Sequence, residues 1–254
     1  DGTLNVLKAC QKVGGVKRVV LTSSCAAITG PMGEEGRTFT EADWTNLDTA
    51  PAYYKSKTLA EKAAWDFIKK LPEKDKFELA VINPFGVMGP ALCGTPGTSM
   101  QIIMMLLLKS VPLVPKMSIG IVDVCDVAQA HIVAMTKAEA AGNRYALNSR
   151  MMTIEEIAKI LNKEFSPKGY DIPTELVSSD MPYVSFDVSS AKAKKELGIQ
   201  LRPTEESLID MANSLIESGL IKKTGRNIKV LVTGASGYIA THVVLLWSSS
   251  TQFF

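Results

Sequence analysis

The sequence predicts an α/β fold: a doubly wound parallel sheet covered by helices, with a smaller α/β lobe beside it. Three observations carry that expectation. "KRVVLTSS" (17–24), "FELAVINP" (77–84) and "IGIVDV" (119–124) are compact apolar runs, the pattern of strands buried on both faces. Segments of helical spacing separate them, so strand and helix alternate as a parallel sheet with helical crossovers requires. The stretch "KVLVTGASGYIATHVV" (229–244) then reads as strand, glycine turn and helix, the arrangement that receives a pyrophosphate.

In chain order, Leu4, Leu7, Cys10 and Val13 recur on one helical face, and Gly14-Gly15 supplies the stop. The first strand follows, then a loop rich in Gly, Glu and Thr. Pro51 suits the first turn of a long helix through "TLAEKAAWDFIKKL". After the second strand, "IIMMLLL" (102–108) is far short of the ~20 apolar residues that cross a bilayer and reads as a buried helix. Beyond Lys137 come a short strand "NRYALN", a helix opened by a Thr153/Glu156 capping box, and a helix from about residue 204 to 220 with Leu208, Met211, Leu215 and Ile216 on one side. "KKTGRN" (222–227) is a polar linker. Residues 1–88, 119–137 and 227–254 are thus assigned to a dinucleotide-binding domain, and 89–118 and 138–226 to the smaller lobe.

The 254 residues are 46% hydrophobic, and 28 basic against 26 acidic side chains leave a net charge of +2 with no basic stripe, which argues against nucleic acid as partner. Cys10, Cys25, Cys93 and Cys125 lack ligand spacing, so no metal site is expected and the thiols are read as free in a reducing compartment. The chain opens at Asp1 in an amphipathic helix pattern without a signal-peptide layout, so a cytoplasmic protein with no membrane span is expected and its beginning reads as cut.

Two features carry chemistry. In "TGASGYIA", Gly234, Gly237 and Ala240 allow backbone amides to approach a phosphate at a helix start. In "AYYKSK", Tyr53 and Lys57 stand at i and i+4 on a helix. A phenol titrates near pH ~10, but an ammonium about 4 Å away at an effective dielectric of ~20 favours phenolate by about 4 kcal/mol, up to ~3 pKa units. Tyr54 and Lys57, at i and i+3, share a face as well, so spacing alone leaves the acid open between two tyrosines. Ser24 ends the first strand, where ligands of doubly wound sheets sit; its alternative role is to cap the next turn.

Together "VVLTSS", "YYKSKTLAEKAAW", "VINPFGVMGP", "VDVCDVAQAH" and "VTGASGYIATH" resemble the extended short-chain dehydrogenase/reductases, nearest the dihydroflavonol reductase and cinnamoyl-CoA reductase branch, over nearly the whole chain. The resemblance implies a Rossmann-like fold and a catalytic group of Ser24, Tyr53 and Lys57, with Lys57 also on the nicotinamide ribose. It implies cofactor contacts from Thr22, Tyr53, Pro84 and Val87 at the nicotinamide end, and from Gly234, Ser236, Gly237, Tyr238 and Ile239 along the pyrophosphate. The cofactor so implied is NADP(H) ahead of NAD(H), and the reaction is hydride transfer between that cofactor and a carbonyl or alcohol. The apolar wall from Met88 through "SMQIIMMLLLKSVPLVP" favours a small hydrophobic substrate.

The order of motifs departs from the family. Its members run from the glycine turn through three further strands to the serine and tyrosine; here those strands are missing and the glycine turn comes last. A junction of tandem copies, a faulty gene model and a circular permutation compete as explanations; permutation fits least, because it moves strands without deleting them. An incomplete sheet is therefore expected, with the strand that would read the adenosine 2′-position absent. A second reductase copy in tandem is a candidate neighbour. Alternatives to the reductase are a truncated, non-catalytic nucleotide-binding module and, behind it, a sugar-nucleotide epimerase or dehydratase.

Overall fold

The computed structural model describes residues 1–30, 33–92, 97–178 and 183–222. The glycine turn, with Gly234, Ser236, Gly237, Tyr238 and Ile239, lies outside the described residues, as does Cys93.

Helix α1 (Gly2–Val13) stops at Gly14, whose φ of 71° is one that side-chain-bearing residues rarely adopt. It leads into β1 (Arg18–Thr22), which pairs in parallel with β3 (Glu78–Pro84); β3 pairs in parallel with β6 (Arg144–Leu147). Val19 and Leu21 face a cluster with Leu7 of α1 and Ala64 of α2 (Ala52–Lys70), while Val20 faces the opposite cluster with Ala130 of α4 (Val124–Thr136). This alternation is the two-sided cover that a doubly wound sheet needs.

The structure departs from the sequence expectation at three points. β1, read as buried on both faces, is only half buried, because among the described residues it has a ladder on one side alone, which fits the incomplete sheet also expected. β6, read as part of the smaller lobe, is buried throughout and pairs with β3 in the same sheet. The sheet also breaks after Pro84: β4 (Gly86–Met88) leaves it to pair in parallel with β5 (Ser118–Asp123), which then takes β7 (Arg150–Thr153) antiparallel on its other side. A short parallel pair, β2 (Thr38–Phe39) with β8 (Asp187–Val188), ties down the loop after Ser24 and has no sequence signal beyond two residues.

The second large cluster lies beneath β4 and β5. Helices α3 (Thr98–Leu107), α5 (Ile154–Phe165) and α6 (Thr204–Glu217) bury Ile103, Leu106, Ile157, Leu161, Phe165, Leu208, Met211 and Leu215 there. Side chains of this kind contribute roughly 1.5–3 kcal/mol each when fully buried. The capping box is formed as expected: Thr153 accepts from the Glu156 amide and the Glu156 carboxylate accepts from the Thr153 amide. Among the described residues no helix is long and apolar enough to cross a membrane.

Candidate active site

Ser24 follows β1 and caps a 3₁₀ turn, Cys25–Ala27, its Oγ accepting from the Ala26 amide at 3.1 Å. The capping role weighed for it in the sequence is therefore present. A hydroxyl has two acceptor sites and one hydrogen to give, so the cap leaves the Ser24 O–H available as a donor.

Helix α2 packs on that 3₁₀ turn. Its first turns bring Tyr53 and Lys57 to one face, with the Lys57 ammonium 5.8 Å from the centre of the Tyr53 ring. Tyr53 is 57% exposed, which leaves its phenol open to a ligand. Its neighbour Tyr54 meets it edge-on, with 5.9 Å between ring centres. Burial, followed by the proximity of Tyr53, pushes the Tyr54 phenol above its ordinary value. The fold thus half-buries Tyr54 and leaves Tyr53 largely exposed, a difference that spacing does not carry.

Thr22 is exposed at the carboxyl end of β1, where its hydroxyl meets His131 Nε2 at 2.7 Å. His131 Nδ1 lies 2.8 Å from the Val127 carbonyl. A carbonyl only accepts, so Nδ1 carries the hydrogen, and in the neutral ring Nε2 accepts from Thr22. Pro84 is buried at the end of β3, and Val87 pairs with Val122 across β4 and β5. Val87 also borders a cavity of about 240 Å³ lined by Met88, Pro90, Met100, Val124 and Met211. A larger cavity, about 400 Å³, lies behind the 3₁₀ turn among Thr29, Arg37, Phe39, Trp44 and Thr45.

Sequence reasoning missed a polar cluster beneath Ser24. Glu61 of α2 is wholly buried and is reached by Ser23, Asn83 and Arg144. Its signal was available: Glu61 falls on the inward face of α2 between Thr58 and Ala64, where an unpaired carboxylate would be untenable. Cys25, just after Ser24, is sealed off; burial drives its thiol far up, and it donates to the Asn83 carbonyl at 3.0 Å.

Residues 1–148 match the NAD dependent epimerase/dehydratase family, and the chain belongs to it. Within that family it is 39% identical to cinnamoyl-CoA reductase CAD2 of Medicago truncatula over 224 residues, covering 85% of this chain and 65% of that protein. It is 32% identical to the NADPH-dependent methylglyoxal reductase GRE2 of Saccharomyces cerevisiae, covering 85% of this chain and 69% of the relative. The crystal structure of yeast methylglyoxal/isovaleraldehyde reductase Gre2 complexed with NADPH superposes with a TM-score of 0.74 at 32% identity, over 87% of this chain and 70% of that one. The chain thus spans about two thirds of the length of the relatives it matches.

Proposed function

We propose that the protein is an NADPH-dependent reductase that converts the carbonyl of a small hydrophobic aldehyde or ketone to an alcohol. One observation carries the reading: α2, with Tyr53 and Lys57 on one face, is packed against the 3₁₀ turn that Ser24 heads at the end of a parallel strand. The residues at the nicotinamide end suit the cofactor, since exposed Thr22, its hydrogen given to His131, offers a hydroxyl oxygen as acceptor, and Val87 an apolar surface beside a cavity. NADPH rather than NADH is supported by the names of the yeast relative and of the solved complex.

Bound NADPH would supply a hydride to the carbonyl carbon. Tyr53 donates its phenolic proton to the carbonyl oxygen as negative charge develops there, and the Ser24 hydroxyl orients and polarises the same oxygen. Lys57 would hold the ribose and offset charge left on the phenol. The methionine-lined cavity beside Val87 excludes water from the apolar end of the substrate and supports a hydrophobic substrate over a sugar nucleotide.

Calorimetric titration of the purified protein with NADPH and NADH, followed by rates with a series of aliphatic and aromatic aldehydes, tests the reading. Micromolar NADPH binding and turnover that rises with aldehyde hydrophobicity are expected; NADPH binding without turnover would favour a non-catalytic nucleotide-binding module, and binding of neither nucleotide would overturn the reading.

A further inference from the structure

Glu61 follows Lys57 by four residues and Tyr53 by eight, so the three side chains share one face of α2, with Glu61 about 12 Å along the axis from Tyr53. Exposure falls along that face from 57% at Tyr53 to none at Glu61. A carboxylate so deep is sustained only if its charge is paired and its lone pairs are used. Both oxygens are engaged. Oε1 accepts from Arg144 Nε at 2.5 Å and from Trp65 Nε1 at 3.4 Å. Oε2 accepts from Ser23 Oγ at 2.6 Å and from Asn83 Nδ2 at 2.7 Å.

Three of those donors come from three other places in the sheet. Ser23 directly follows β1, Asn83 sits in β3, and Arg144 opens β6. The Asn83 amide also donates to the Ser24 carbonyl at 3.1 Å, so a single side chain joins Glu61 to the backbone of the candidate catalytic serine. Arg144 is itself fixed: its Nη1 donates to the Glu41 and Asp43 carbonyls, each at 2.8 Å, and its guanidinium lies 3.7 Å over the Trp44 ring. Apolar side chains filling the same space would hold α2 against the sheet equally well. They would not fix its rotation and height, because hydrophobic contact has no direction. The bonds to Glu61 do.

We propose that Glu61 is a positioning residue whose buried carboxylate locks the helix presenting Tyr53 and Lys57 to the strand end presenting Ser24. It sets the separation of the phenol and the hydroxyl that act on one carbonyl oxygen. With no exposed surface, Glu61 meets neither substrate nor cofactor and works only through the other three. The proposal rests on the reductase reading.

Two variants of the purified protein test it, with Tyr53→Phe as control. Glu61→Met combined with Arg144→Met replaces the ion pair by apolar side chains of similar length, and Ser23→Ala removes one donor with minimal disturbance. Thermal unfolding, NADPH affinity and rates against a hydrophobic aldehyde are measured across the pH range on the same samples. The methionine pair is expected to stay folded and to bind NADPH within about threefold of the parent. Its kcat should fall by about 10- to 100-fold, with KM little changed and the pH profile of kcat displaced, as a misplacement on the order of 1 Å would produce. Ser23→Ala should lose about three- to tenfold in kcat. A folded methionine pair with unaltered kcat and pH profile overturns the proposal; if that pair does not fold, unaltered kcat in Ser23→Ala does so. Unaltered rates alongside an inactive Tyr53→Phe remove the positioning role alone, whereas an active Tyr53→Phe overturns the reductase reading and the proposal with it.

Discussion

Arg144 donates to the Glu61 carboxylate at 2.5 Å in a place where the two side chains are 8% and 0% exposed. Removing one partner strands the other charge in the interior, so Glu61→Leu alone should cost about 3–5 kcal/mol of folding stability. Chemical denaturation measures it. A loss below about 1 kcal/mol would place the pair in the class of exposed bridges.

Gly120 in β5 marks a close approach. A Cβ there would come within 2.5 Å of Asn148 Oδ1 and the Phe85 ring, whereas one on Gly97 would meet nothing within 4 Å among the described residues. Gly120→Ala should therefore destabilise by about 1–3 kcal/mol through overpacking, and Gly97→Ala by no more than about 0.5 kcal/mol. Equal denaturation midpoints for the two variants would contradict this.

The Tyr145 hydroxyl donates to Glu196 Oε2 at 2.9 Å, with the Glu139 carbonyl oxygen 3.2 Å away. Burial and then the Glu196 carboxylate hold its phenol well above the usual tyrosine range. Between the unfolded tyrosine value of about 10 and the higher folded value, the unfolded chain has lost a proton that the folded chain keeps, so stability falls as pH rises through that window. Tyr145→Phe should flatten the decline above pH ~10 in unfolding measured against pH. An unchanged slope would show that the phenol does not govern it.

The cysteines should divide by reactivity. Cys25 is buried, with its thiol driven up by burial. Cys125 is exposed, yet slight desolvation and the Asp123 carboxylate raise its thiol as well. Because the thiolate is the reactive form, iodoacetamide at neutral pH should modify Cys125 slowly and Cys25 not at all until the protein unfolds. Peptide mass spectrometry reads the order; native-state labelling of Cys25 at the rate of Cys125 would be the contrary result.

Local signals made most helices legible in the sequence. The stop at Gly14, the Thr153/Glu156 capping box and the 3.6-residue stripe of Leu208, Met211 and Leu215 each act within a few residues, and the structure contains all three. Membership of sheets was less legible, because pairing is a long-range choice that apolar runs do not encode. "NRYALN" gives no sign that it pairs with "VINP", more than sixty residues away, and nothing local sends β4 out of the sheet that β3 occupies. At the candidate site, spacing brings Tyr53 and Lys57 together but leaves Tyr53 and Tyr54 equivalent; only the fold exposes the first ring and half-buries the second. Glu61 passed for an ordinary helix former, since its partners Ser23, Asn83 and Arg144 are brought to it only by the fold.

In the proposed reaction Tyr53 supplies the proton to a carbonyl beside the cofactor. The most direct measurement compares the turnover of Tyr53→Phe and the parent protein with NADPH and a hydrophobic aldehyde, while calorimetry follows NADPH binding in both. Loss of kcat by about 10²- to 10⁴-fold with binding retained is the expected result. Turnover undiminished by loss of that one hydroxyl would contradict it.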